Sequence, residues 1–135
     1  MIAINYFAII VAALAAMVVG SLWYSPILFG KQWTELRGVK APKNGKMPMP
    51  MQEMGLEFVA TLVTAYVLDI LVIVFGAHTT QSVFLLALVV WLGFYVTQLL
   101  SEVLWEKKPF GIFLISGSVR LVNLILMALI LGLWQ

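Results

Sequence analysis

Four stretches of about 20 or more mostly apolar residues occupy most of this chain of 135 residues. They run from about Ile4 to Tyr24, Gly55 to Gly76, Ser82 to Trp105 and Pro109 to Leu133. A helix rises about 1.5 Å per residue, so each stretch matches the roughly 30 Å of hydrocarbon in a bilayer. The expectation is an all-α, integral membrane bundle of four transmembrane helices forming a single domain over residues 1–135. Its helices are placed at about 4–24, 55–76, 82–105 and 109–133.

Composition agrees. The chain is 63% apolar and 10% charged, against about 45–50% and about 25% in soluble domains. Its mean hydropathy is +1.05. Soluble enzymes, nucleic-acid modules and disordered tails are poor fits. There is no cysteine, which removes thiol chemistry and iron–sulfur clusters. His78 is the single histidine, so neither a two-histidine haem site nor a multi-histidine zinc site can form within one chain. No cofactor and no metal are expected. The start, Met1-Ile2-Ala3-Ile4-Asn5-Tyr6, lacks the basic region of a signal peptide, so the first apolar run is expected to be a retained helix.

The connections are unequal. His78-Thr79-Thr80-Gln81 and Glu106-Lys107-Lys108-Pro109 read as tight turns, making the last three helices antiparallel neighbours. The first loop, about residues 25–54, is longer. Its segment Ile27–Arg37 has apolar residues near helical spacing and reads as a short interfacial helix. From Gly38 to Met54, prolines, glycines and lysines indicate a linker. Lys31, Arg37, Lys40, Lys43 and Lys46 lie in this loop, and Lys107 and Lys108 in the last turn. The opposite side of a four-helix chain has no lysine or arginine. The positive-inside rule therefore puts both basic loops in the cytoplasm and both termini outside.

Charges in a bilayer need partners. By helical rise, Arg120 lies about 15 Å and Asp69 about 20 Å from the cytoplasmic helix ends, so an Asp69–Arg120 pair is the first expectation. Glu102, on a helix running the other way, is the alternative partner of Arg120. Glu57 opens the second long helix. Polar stripes extend these positions: Ser116, Arg120 and Asn123; Gln98 and Glu102; Glu57, Thr61 and Thr64. Asp69, Arg120, Glu102, Asn123, Gln98 and Glu57 are thus the candidate intramembrane polar network. It reads either as hydrogen-bonded packing or as an ion, proton or small-ligand site.

The first helix carries no charge, but Ala8, Ala12, Ala16 and Gly20 recur every fourth residue. Such a seam of small residues lets a helix of this or another chain approach closely. Met47, Met49, Met51 and Met54 stand close together in the linker. Thioethers can bind copper(I), but methionine is also common at adaptable interfaces. Trp23, Tyr24, Trp33, Trp105 and Trp134 fall near helix ends, as an interfacial aromatic belt does.

The stretch Gly20-Ser21-Leu22-Trp23-Tyr24-Ser25-Pro26-Ile27-Leu28-Phe29-Gly30-Lys31-Gln32-Trp33 follows an alanine-rich helix that starts at Asn5-Tyr6. In this it resembles an uncharacterised bacterial membrane family, domain of unknown function 1761, across nearly the full chain. The resemblance implies a bacterial membrane protein with four helices and brings no activity. The functional expectation is a non-enzymatic accessory or structural subunit, or a homo-oligomer. The alternative is a small transporter or channel using the Asp/Arg/Glu network. Membrane lipids, and other membrane chains or copies of itself, are the expected partners, and nucleic acid is not.

Overall fold

In the computed structural model, residues 4–25, 28, 30–37 and 51–134 are described, with 30, 33, 34 and 37 described by backbone alone. The helices are α1 (Tyr6–Trp23), α2 (Gly30–Arg37), α3 (Met51–Phe75), α4 (Thr80–Val90), α5 (Thr97–Trp105) and α6 (Phe110–Leu133). A π-helical stretch, Trp91–Val96, joins α4 to α5, so that Thr80–Trp105 is one continuous third span. Four spans are long and apolar enough to cross a membrane, and the described residues contain no strand. Large apolar side chains such as Phe7, Val63, Phe75, Val89 and Leu92 point outward and exposed. So much contiguous apolar surface is untenable in water and ordinary in lipid.

Each boundary has a local cause. Asn5 caps α1 by accepting the N–H of Ala8 at 3.1 Å. At its other end Ser25 donates its hydroxyl to Leu22 O at 2.6 Å. The turn after α3 is a Schellman motif: Gly76 adopts φ +63°, its N–H bonds Ile73 O at 3.2 Å, and Ala77 N–H bonds Val72 O at 2.9 Å. Thr79 and Ser82 then form a capping box that starts α4, each side chain meeting the other's backbone N–H.

One expected boundary moves. The linker was to reach Met54, yet α3 begins at Met51, a full turn earlier. Apolarity marks where a span enters lipid, not where its helix starts. Met, Gln and Glu are good helix formers, and Glu53 complements the dipole in the first turn. Residues 38–50, with Met47 and Met49 of the methionine cluster, lie outside the described residues.

α6 is the central helix, packing on α1, α3 and α4, while α1 also packs on α3. The core fills only one end of the bundle, the end carrying the start of α1 and the α3–α4 turn. Ala8, Ala12, Leu68, Val72, Val83, Ala87, Leu124 and Leu131 are buried there. The Ala8, Ala12 and Ala16 seam is used within the chain, at 0%, 0% and 3% exposure. Gly20 is different: an added Cβ there meets no atom within 4 Å, because it faces a cavity. The core end is sealed by close backbone approach. A Cβ on Gly132 meets Ala77 O at 2.5 Å, and His78 Nδ1 lies 3.1 Å from Gly132 O. At the opposite end α2 rests on the start of α6, with Leu36 against Gly111.

Candidate functional site

Where the core stops, the four spans line an open cavity of about 940 Å³. α1 contributes Gly20 and Tyr24, and α3 contributes Glu53, Glu57, Thr61 and Thr64. The third span contributes Phe94, Tyr95, Gln98 and Glu102, and α6 contributes Ser116, Arg120 and Asn123. The three polar stripes recognised in the sequence therefore face one space. The reason is periodic: positions i, i+4 and i+7 share a helix face, and α6, at the centre, turns its stripe toward both neighbours.

The charges pair differently from the expectation. Arg120 Nη1 lies 3.6 Å from Glu57 Oε1, so neither the Asp69–Arg120 pair nor the Glu102–Arg120 pair forms. The early start of α3 explains this. Counted at about 1.5 Å per residue, Asp69 stands about 27 Å from the start of α3 and Glu57 about 9 Å. Arg120 stands about 15 Å from the start of α6 and leans toward that start, which brings it to Glu57. Glu102 Oε2 instead lies 3.3 Å from Lys108 Nζ, and the same lysine lies 3.3 Å from Glu106. Hydrogen bonds that Lys108 donates to Glu106 and then Glu102 raise its pKa above the usual lysine value.

Asp69 stands apart from the cavity, fully buried at the core end. Its Oδ2 accepts the backbone N–H of Asn5 at 3.4 Å. Of the six expected network residues the cavity thus gathers Glu57, Gln98, Glu102, Arg120 and Asn123, and leaves out Asp69.

The hydroxyl groups have defined polarity. Thr61 donates to Glu57 O at 2.7 Å, which outcompetes Met17 Sδ at 3.9 Å, and Thr64 donates to Ala60 O at 3.1 Å. With their protons committed to their own helix, both oxygens keep lone pairs. Tyr24 donates to Ser116 Oγ at 3.2 Å. Asn123 Oδ1 is buried and has no hydrogen-bond partner among the described residues.

Two features were not read from the sequence. Trp91 donates its indole N–H to Gly117 O at 2.8 Å, tying the third span to α6 where the π stretch begins. That stretch turns Phe94 and Tyr95 to the cavity, and π segments often mark functional positions. Gly93 among aromatic residues is the one sequence trace of it. Trp23, placed in the aromatic belt, also donates its N–H to Ile115 O at 3.2 Å and so fastens α1 to α6.

Four apolar spans with charged and polar side chains gathered between them define a small multi-pass helical membrane protein. The chain matches the family model described as "Protein of unknown function (DUF1761)" over residues 7–132 and belongs to that family. No curated protein and no solved structure matches it.

Proposed function

We propose that this is a non-enzymatic membrane protein that admits a small polar or charged solute into the cavity, as one protomer of a small transporter. The observation that carries the reading is the cavity itself. About 940 Å³ lies within the size range of small-molecule sites, and polar groups from three spans line it beside apolar walls. The core closes one end of this space. The basic residues of the first and last connections support a cytoplasmic mouth, with both termini outside, in a bacterial cytoplasmic membrane. The alanines of the seam no longer argue for a partner chain, because Ala8, Ala12 and Ala16 are buried within this one.

A natural absence of cysteine makes the test direct. Thr61→Cys and Gln98→Cys are expected to react with a membrane-impermeant thiol reagent applied from the cytoplasmic side of vesicles. Val63→Cys, on the outward apolar surface, is expected to stay unreacted. Silence at Thr61→Cys and Gln98→Cys would overturn the reading.

One observation favours a second reading, an accessory subunit or homo-oligomer. From Trp91 to Trp105 the third span holds no buried residue, so a helix of another chain could cover it. Native mass spectrometry after gentle extraction separates the two. A defined co-extracted chain supports the accessory reading, and a single chain species supports the transporter reading.

A further inference from the structure

We infer that the cavity takes an organic cation carrying N–H donors, an alkyl- or arylammonium or a guanidinium. This rests on the cavity reading above and names its ligand class. The lining is unbalanced in charge, with Glu53, Glu57 and Glu102 facing Arg120. Arg120 is committed to Glu57 at 3.6 Å. Glu102 shares one lysine with Glu106, each at 3.3 Å, and Glu53 has no ion pair among the described residues. A negative excess remains in a space walled largely by hydrocarbon, where each unbalanced charge counts for more than in water.

The hydrogen-bond polarity points the same way. Thr61 and Thr64 present lone pairs, since their protons serve Glu57 O and Ala60 O. Tyr95 and Tyr24 also line the cavity, and aromatic rings attract cations. A space of about 940 Å³ is far larger than a bare metal ion needs, which favours a cationic head on an apolar body. A carboxylate ligand meets the opposite situation: its one complementary cation is already paired.

The test uses the full chain in lipid nanodiscs, with protein-free discs subtracted, and reads saturable binding by equilibrium dialysis. Four probes share one body: phenethylammonium, phenethyltrimethylammonium, phenethyl alcohol and phenylpropionate. Phenethylammonium is expected to bind most tightly, the trimethyl compound less tightly because it has no N–H, and phenylpropionate not at all. Glu53→Gln is expected to weaken phenethylammonium by about tenfold, the loss of one charge-assisted hydrogen bond. Val63→Leu, outside the cavity, is expected to leave it unchanged. Equal binding of phenylpropionate, or no saturable binding of the amine while Thr61→Cys still reacts, overturns the ligand class and leaves the cavity reading standing. If Thr61→Cys does not react either, the cavity reading fails and the ligand class fails with it.

Discussion

Asp69 Oδ2 accepts the backbone N–H of Asn5, while the side chain of Asn5 accepts the N–H of Ala8. Together these contacts form a capping box split between two helices. Within one chain segment, the residue three positions into the helix reaches back to the cap N–H. Here that position is Ala8, which cannot, and a carboxylate from α3 supplies the missing acceptor. It also places negative charge at the positive end of the α1 dipole.

Asp69→Leu is expected to destabilise the protein by about 1–3 kcal/mol, because a buried N–H loses its acceptor. Asp69→Asn keeps an acceptor oxygen and is expected to cost less. Thermal unfolding in detergent measures both. Equal stability of Asp69→Leu and wild type would show that the contact does not hold α1.

A double-mutant cycle distinguishes the observed charge pair from the expected one. Glu57→Gln and Arg120→Gln are expected to couple by up to about 1 kcal/mol, since both side chains are about half exposed. Asp69→Asn and Arg120→Gln are expected to add without coupling. Coupling of Asp69 to Arg120 would contradict the structure.

Two glycines are constrained for different reasons. Gly132→Ala drives a methyl into Ala77 O and Val83 Cγ2, at an expected cost of about 1–3 kcal/mol from overpacking. Gly76→Ala meets no atom within 4 Å but must keep φ +63°, at about 1–2 kcal/mol. Melting temperatures of the two variants check this, with Gly132→Val expected to be worse than Gly132→Ala.

Lys108 supplies the pH dependence. Its pKa is raised above 10.5 by Glu106 and Glu102. A raised folded-state value means its contribution is fully present below pH 10.5 and is lost as pH climbs through the raised value. The lysine is solvent-exposed, so the effect on stability is small. NMR titration of methyl-labelled Lys108 is expected to give a lower midpoint in Glu106→Gln than in wild type. An unchanged midpoint would rule out the ion pair in solution.

The sequence by itself determined the four spans, their tight turns and the faces of their polar stripes. Those properties follow from local periodicity: an apolar run long enough for a bilayer, a cap residue, and positions i, i+4 and i+7 on one side of a helix. It offered Asp69 first and Glu102 as the alternative partner of Arg120, without choosing between them, and Arg120 pairs with neither but with Glu57. Which acid meets it depends on the axial offset of α3 against α6, and hydropathy cannot give that offset because α3 starts in polar residues. The same gap hid the split capping box, since Asn5 and Asp69 are 64 residues apart. Tertiary structure alone decided that α6 lies at the centre, that the alanine seam closes inside this chain, and that the core stops halfway. Side-chain volume explains that last division. Alanine and glycine let helices meet at one end, while the charged and hydroxyl side chains at the other hold them apart around a space.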